Sequence, residues 1–400
     1  MQVLKPENAD QVLEMVQWAL ANEQPLAVRG AGSKDGIGRA VDAGHGIDLS
    51  SLCGVTLYEP GELILGCGAG TSMAELGKLL RENNQQFDFD PPDFSRLLDT
   101  NSAGTIGGIL GGNFAGPRRI KSGAARDHFL GFHGVSGRGE RFKSGGRVMK
   151  NVTGFDLPKV MAGSWGTLAI LTDVTMKVLP SPEKIYTVLV RGSDDATGVQ
   201  AMTAALKSSH EVSSAAHLPA GVAARSEVSY VAEAGAAVTA IRIEGFAPSL
   251  QARCAALKTM LAAFGEIEEL HSHNSATLWS EIRDAAYFAG TDRAVWRVSA
   301  PPLSGPEIAA TCQADVFYDW GGGLVWMAVD ETSDAGAGAI RAALASCGGH
   351  ATLIRGSSDL RARIEPFEPL AAMHRRITGD LKKQFDPKGV LNPGRMYEGI

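Results

Sequence analysis

Two glycine-rich stretches carry the residues whose types and spacing suggest chemistry. The first, "PLAVRGAGSK" at residues 25–34, runs an apolar segment into a loop containing Gly30 and Gly32. Main-chain N–H groups exposed at such a turn can cradle a phosphate. The second, "NSAGTIGGILGGNFAGPRR" at residues 101–119, holds six glycines in its first sixteen residues. A glycine in a regular element costs about 0.5–1 kcal/mol relative to alanine. Six together imply that something must approach bare backbone, and a ligand longer than one phosphate group can lie across both stretches. A Rossmann dinucleotide fingerprint does not fit, although Asp48 lies where its ribose-binding acid would be. Gly30, Gly32 and Gly36 give GxGxxxG rather than GxGxxG, and "SKDGIGRAVDAG" offers no helix to receive a pyrophosphate.

Other candidate groups are sparse. Cys53, Cys67, Cys254, Cys312 and Cys347 are widely spaced and form no CxxC, which argues against a disulfide framework, a zinc site or an iron–sulfur cluster. They read as small buried hydrophobes, so electrons handled by this chain must leave through another subunit. His271 and His273 in "HSH" share one face of a predicted strand, and with no third ligand they read as a solvated edge. His374 falls in "MHRRITGDLKKQF", a basic amphipathic stretch that reads as a surface helix. The net charge of −6 gives no footing for nucleic acid or an anionic membrane. No apolar run approaches the roughly 20 residues of a membrane span, and the amino-terminal stretch is an acidic amphipathic helix without a basic leader. A cytoplasmic chain with no direct membrane insertion is expected.

The elements that must position the glycines follow from periodicity. Four hundred residues exceed the roughly 250–300 that one core serves, so at least two domains are expected. Val12, Val16, Ala19 and Leu20 share one face of a helix over 8–22, which Pro25 stops before the strand "LAVRG". Strands follow at "GIDLS" and in "GVTLYEPGELILGCGAG", and Ser72 with Glu75 forms a capping-box pattern opening "SMAELGKLLRENN". The glycine-dense region 104–166 closes with "GTLAILTDVTMKVLP", an alternating strand ended by Pro180 and Pro182. Beyond it, strands and helices alternate as two ferredoxin-like β-α-β-β-α-β halves. The final "DLKKQFDPKGVLNPGRMYEG" carries turn signals and is expected to return to the first domain.

In chain order, "RGAGS", "TIGG", "SG" followed by "RD", "KNVTGFDL", "GSWGTLAI" and "FDPKGVLNPG" resemble the motif set of the vanillyl-alcohol-oxidase and p-cresol-methylhydroxylase flavoprotein superfamily. Within it, the chain resembles the FAD-binding subunits of bacterial glycolate oxidases. The resemblance implies an α+β fold: a two-subdomain FAD-binding domain over 1–180, a cap domain of two ferredoxin-like halves over 181–380, and a tail over 381–400 packing on the FAD domain. It implies that Arg29, Gly30, Ala31, Gly32, Ser33 and Lys34 hold the FAD diphosphate through main-chain N–H groups, the Ser33 hydroxyl and the charge of Arg29 or Lys34. Thr105, Ile106, Gly107 and Gly108 match the segment beside the diphosphate and flavin. Asn113, Gly116, Ser122, Gly123 and Asp127 match the loop that follows. Gly166, Thr167, Leu168 and Ile170 match the strand bordering the adenine, and Asn392 matches the tail's approach to the flavin edge. Asp127 also reads as a turn cap, Ser122 as a solvated side chain and Asp156 as a helix N-cap. Relatives with a covalent flavin use a histidine or cysteine near these loops; "RGAGSK" has neither, so non-covalent FAD is expected.

The same resemblance marks what is missing. Relatives that oxidise 2-hydroxyacids carry a cap-domain motif resembling GHxGDGN, with a metal-binding histidine, and a later SGEHG segment. Here those places read "FYDWGGGLVWMAVD" and "TLIRGSSDLRARIEP". No imidazole or acid stands there to take a hydroxyl proton as hydride leaves, so neither a metal site nor a catalytic residue is assigned. Trp165 replaces a glutamate and Phe155 a tyrosine, while Lys150 is either solvated or places positive charge near the flavin. The expected role is the FAD subunit of a glycolate-oxidising complex, relaying electrons or supporting assembly. Its expected partners are a paralogous catalytic flavoprotein subunit and an iron–sulfur subunit, with peripheral placement at the inner membrane through that complex. A self-sufficient flavin dehydrogenase with an unrecognised base, and a structural subunit with a vestigial site, are the alternatives.

Overall fold

Asn8 accepts the Gln11 amide and opens the first helix, Ala9–Asn22, in the computed structural model, which describes residues 2–146 and 154–400. Glu23, with φ of 53°, closes that helix ahead of Pro25. Strands β1 (Gln2–Leu4), β2 (Leu26–Arg29) and β3 (His45–Asp48) form a parallel sheet in the order β1-β3-β2. Val12, Val16 and Ala19 pack in one core with Leu26 and Ile47, as their helical spacing requires.

Next come β4 (Val55–Glu59) and β5 (Ile64–Gly68), then Ser72, whose Oγ accepts the Glu75 amide at 3.1 Å and caps the helix Met73–Glu82. They are followed by β6 (Gln85–Gln86), β7 (Phe129–Ser136), β8 (Arg141–Gly145), β9 (Ala169–Lys177) and β10 (Leu179–Pro180). An antiparallel five-stranded sheet is ordered β4-β5-β9-β7-β8, and β6 pairs with β10. The second glycine stretch contains a helix despite its composition. "IGGILGG" is a helix, Ile106–Gly112, whose N-cap Thr105 accepts the Gly108 amide at 3.2 Å. Threonine capping and the contacts of Ile106, Ile109 and Leu110, all fully buried, outweigh the poor helix propensity of glycine.

Two compact units emerge: 1–115, 123–181 and 369–400 make up the first, and 116–122 with 182–368 the second. In the second, strands β11 (Lys184–Arg191), β12 (Ser214–Leu218), β13 (Val238–Gly245) and β14 (Glu266–His271) are ordered β14-β11-β13-β12. Strands β15 (Ala294–Ser299), β16 (Ala314–Asp319), β17 (Leu324–Val329) and β18 (His350–Arg355) repeat that order in mirror sequence, β16-β17-β15-β18. The halves share one eight-stranded sheet through the pair His217 and Tyr318 of β12 and β16. This is the α+β architecture of two ferredoxin-like halves that the alternation implied. Two local expectations fail. His271 ends β14 whereas His273 lies in the helix Ser272–Asp284, so they share no strand face, and His271 Nε2 sits 3.0 Å from Glu269 Oε1. Asp156 stands at the N-cap of Leu157–Met161 without accepting a helix amide, because its carboxylate pairs with Lys159.

The chain end is tied into the first unit. Leu391 bridges Leu26, and the Leu26 amide donates to Val390 O at 2.8 Å. A helix over Ala372–Phe385 precedes it, running through the boundary expected at 380. Its Lys382 ammonium donates to Thr167 O (2.8 Å), Asp386 Oδ2 (2.7 Å) and Leu391 O (2.8 Å), spending all three protons inside the unit. Asp386 in turn accepts the amides of Val390 and Leu391, which explains the turn signals of "FDPKGVLNPG".

Candidate functional site

The two glycine stretches converge. A Cβ on Gly30 would sit 2.4 Å from Thr105 Oγ1, and one on Gly104, with φ of 90°, would sit 2.5 Å from Ser33 Oγ and 2.6 Å from Lys34 Nζ. Glycine is required at both because one stretch touches the other. Beside this junction lies an open cleft. Arg29, Gly30, Ala31, Gly32, Ser33, Lys34, Thr105, Gly107, Gly108, Gly166, Ile170 and Asn392 line it.

Gly108 and Gly111, both in the lining, answer a different need. A Cβ on Gly108 meets only Thr105 Oγ1, at 3.5 Å, and one on Gly111 meets nothing within 4 Å. These glycines leave space that a side chain would fill, which is the mark of a cradle for a bound group rather than of close self-packing. Gly111 was not among the residues matched from sequence, although it stands in the quoted stretch.

The other matched residues lie elsewhere. Ile106, Thr167 and Leu168 are buried behind the lining. Asn113 closes its helix with φ of 48° and accepts the Arg126 amide at 3.0 Å, and Asp127 accepts the Ala124 amide at 2.8 Å as a turn cap beside Gly123. Gly116 and Ser122 belong to the second unit, where Gly116 O accepts the Trp320 indole N–H at 3.0 Å. Phe155 is 87% exposed, and Lys150 lies outside the described residues.

Charge in the cleft is concentrated on Lys34. Its Nζ stands 3.3 Å from Ser33 Oγ and 3.5 Å from Ala103 O, and burial pushes its pKa down to about 8 against the pull of Asp93. Arg29 instead pairs with Asp35 at 3.0 Å. Arg395, which sequence reasoning missed, donates to Lys34 O at 2.9 Å and Arg39 O at 3.3 Å, and so clamps the first loop from the tail. Its only signal was its place just after "NPG". Asn392 is a second clamp: its Oδ1 accepts the Val28 amide at 2.7 Å, and its Nδ2 donates to Val28 O (3.1 Å) and Trp165 O (2.8 Å). Both amide protons are therefore spent on main chain, so Asn392 positions the cleft wall and has no N–H left for a ligand. Trp165 is held there with φ of 53° by a 3.0 Å bond from its amide to Gly111 O.

Lys34, with its pKa pushed down to about 8, is the cleft group whose proton is most readily lost. The described lining residues include no histidine, cysteine or tyrosine, and the acid among them, Asp35, is the partner of Arg29. Among the described residues, no group of three or more His, Cys, Asp or Glu is arranged to hold a metal. In the second unit, the β16–β17 connection carries Trp320, with the guanidinium carbons of Arg119 and Arg297 at 4.6 and 4.8 Å from its ring centroid. Burial, then the charge of Arg119, pushes the Arg297 pKa down to about 10. Guanidinium and indole therefore fill the stretch in which the resemblance implied a loss of imidazole. His217 is fully buried and serves packing, with Nδ1 2.8 Å from Thr239 Oγ1. Among the described residues, no helix is long and apolar enough to cross a membrane.

Comparison with known proteins identifies the family. Residues 1–145 match the FAD binding domain family. Over 387 residues the chain is 31% identical to the glycolate oxidase subunit GlcE of Escherichia coli, covering 96% of each chain. It is 28% identical over 202 residues to the glycolate oxidase subunit GlcD of Bacillus subtilis, covering 47% of this chain and 38% of that one. Among solved structures, p-cresol methylhydroxylase with substrate bound shares the fold, with a TM-score of 0.71 over 99% of this chain and 88% of that one at 14% identity. The chain thus belongs to the family of the subunit GlcE, an FAD-binding family with the p-cresol methylhydroxylase fold.

Proposed function

We propose that this chain is the FAD-carrying subunit of a glycolate-oxidising complex. It relays electrons or supports assembly beside a paralogous flavoprotein subunit, which oxidises the hydroxyacid, and an iron–sulfur subunit. One observation carries the reading: the cleft keeps open space over Gly108 and Gly111, while its described lining offers no imidazole, thiol or phenol. The end-to-end likeness to a glycolate oxidase subunit supports the substrate class.

Bound FAD supplies two-electron acceptance and one-electron release. The chain's own residues bind and orient it. In this reading, the loop amides from Gly30 to Lys34, the Ser33 hydroxyl and the Lys34 ammonium hold the diphosphate. Gly108 and Gly111 admit the flavin end against bare helix, while Gly107 packs that helix onto Ala69 O, 2.8 Å from where a Cβ would stand, and Gly166 and Ile170 border the adenine. Asn392 and Arg395 keep the walls in register, and attachment is non-covalent. Substrate oxidation needs a base to take the hydroxyl proton; the described lining holds no imidazole, thiol or phenol, and Lys34, whose pKa is pushed down to about 8, is committed to the diphosphate in this reading, which therefore assigns that step to the partner flavoprotein.

The test is turnover. The purified chain loaded with FAD, mixed with glycolate and an artificial electron acceptor, should show none above background. Adding the paralogous subunit should start it. Glycolate turnover by the single chain, abolished by a chelator, would refute the assignment.

A further inference from the structure

Trp165 is the one aromatic side chain among the described residues that line the cleft. Its main chain is held at φ of 53°, a left-handed conformation that is rare for a bulky residue and collects at ligand sites. The bond from its amide to Gly111 O and the bond from Asn392 Nδ2 to its carbonyl pin that conformation. The ring is propped as firmly. Phe114 meets it edge-on, with centroids 5.6 Å apart and planes at 89°, and Phe94 meets Phe114 in the same way at 5.4 Å. Phe114 has its place because residue 112 is glycine: a Cβ there would stand 2.1 Å from the Phe114 ring. The Arg395 guanidinium carbon stands 5.8 Å from the centre of the indole ring system.

This indole borders the open part of the cleft. Gly111, whose carbonyl holds the Trp165 amide, is a glycine on which a Cβ would meet nothing within 4 Å. A planar group laid on the bare helix at Gly108 and Gly111 therefore comes beside the Trp165 ring. Of the two ring systems of FAD, the isoalloxazine is electron-poor and the adenine is not. Indole is the most electron-rich ring that a side chain offers, so its complementary partner is the isoalloxazine.

The geometry points to Trp165 as the side chain that touches the isoalloxazine of bound FAD and fixes its place over the bare helix. The assignment rests on FAD occupying the cleft and goes beyond that reading by naming the contact and the end of the cofactor that makes it. A photoexcited flavin takes an electron from a touching indole or phenol and gives it back, so the emission is lost and nothing is consumed; a phenylalanine ring does not supply that electron. Emission from the bound flavin therefore reports the contact without turnover.

The test measures flavin emission, thermal midpoint and the dissociation constants of FAD and FMN for the full chain as wild type, Trp165→Phe and Trp165→Tyr. FAD bound to the wild type should emit about tenfold less than free FMN. Trp165→Phe keeps a ring on the same backbone, so it should hold FAD within about threefold of the wild type while its emission rises about fivefold or more. Trp165→Tyr should stay dark. Bright emission from wild-type protein overturns the contact without any variant. A Trp165→Phe protein that binds FAD and emits within about twofold of the wild type overturns it as well, and if it also loses the preference for FAD over FMN, the ring contacts adenine instead. In each of these cases the FAD-carrying reading stands. A wild-type chain that takes up no FAD overturns both.

Discussion

Asn392 brackets Val28 from both sides, accepting its amide at 2.7 Å and donating to its carbonyl at 3.1 Å across 364 residues of sequence. Its second amide proton holds Trp165 O, so one side chain fixes two walls of the cleft. Asn392→Asp keeps the acceptor but sets a carboxylate against two carbonyls. It should cost about 1–3 kcal/mol of stability and weaken FAD binding, as read by denaturant unfolding and flavin titration. Unchanged values for both would show that the clamp is dispensable.

Gly111 separates folding from binding. A leucine there enters open space, and replacing glycine inside a helix improves propensity by about 0.5–1 kcal/mol. Gly111→Leu should therefore fold with an equal or higher thermal midpoint and lose its yellow colour. Full FAD occupancy in this variant would place the cofactor outside the cleft.

Lys34 makes FAD affinity depend on pH. Its pKa in the free cleft is about 8, and a diphosphate beside it favours the charged form, so binding draws in a proton. Affinity should be flat below pH 8 and fall by up to tenfold per pH unit above it. Lys34→Met should bind more weakly and lose this slope. A wild-type affinity independent of pH between 7 and 9.5 would remove Lys34 from the diphosphate site.

Non-covalent attachment predicts that acid precipitation releases the flavin to the supernatant. A pellet that stays yellow would reveal a bond that the described lining gives no reason to expect.

Breaking the Lys382–Asp386 pair should be severe. Lys382→Met leaves a carboxylate that is 1% exposed without its cation, a change that typically costs about 3–5 kcal/mol. The tail from Val390 to Asn392 should loosen with it, seen as faster hydrogen exchange there and lower FAD retention. Wild-type protection at those amides would mean that the turn holds itself.

Much of this architecture was legible because periodicity and local capping point the same way. Val12, Val16 and Ala19, the Ser72 cap and the strand–helix alternation of the second unit all agree with tertiary packing. The glycine stretch at 105–112 carried no element assignment, since propensity argues against a helix there and only the Thr105 cap and buried Ile106, Ile109 and Leu110 reverse it. Within the site, the glycines that line the cleft were visible in the sequence. Arg395 and the double bracket of Asn392 were not, because their partners lie hundreds of residues away. Asp127 caps its turn, as one of its two sequence readings had it, and Asn113 closes its helix, a role that motif order alone does not reveal.

The most direct test of the account is an anaerobic absorption spectrum of the purified single chain, reconstituted with FAD and titrated with glycolate. Stoichiometric flavin absorbance that does not bleach with glycolate, but does bleach once the paralogous flavoprotein subunit is added, is the expected result. Rapid bleaching of the chain alone, or failure to take up FAD at all, would contradict a subunit that keeps its cofactor cradle and leaves substrate chemistry to its partner.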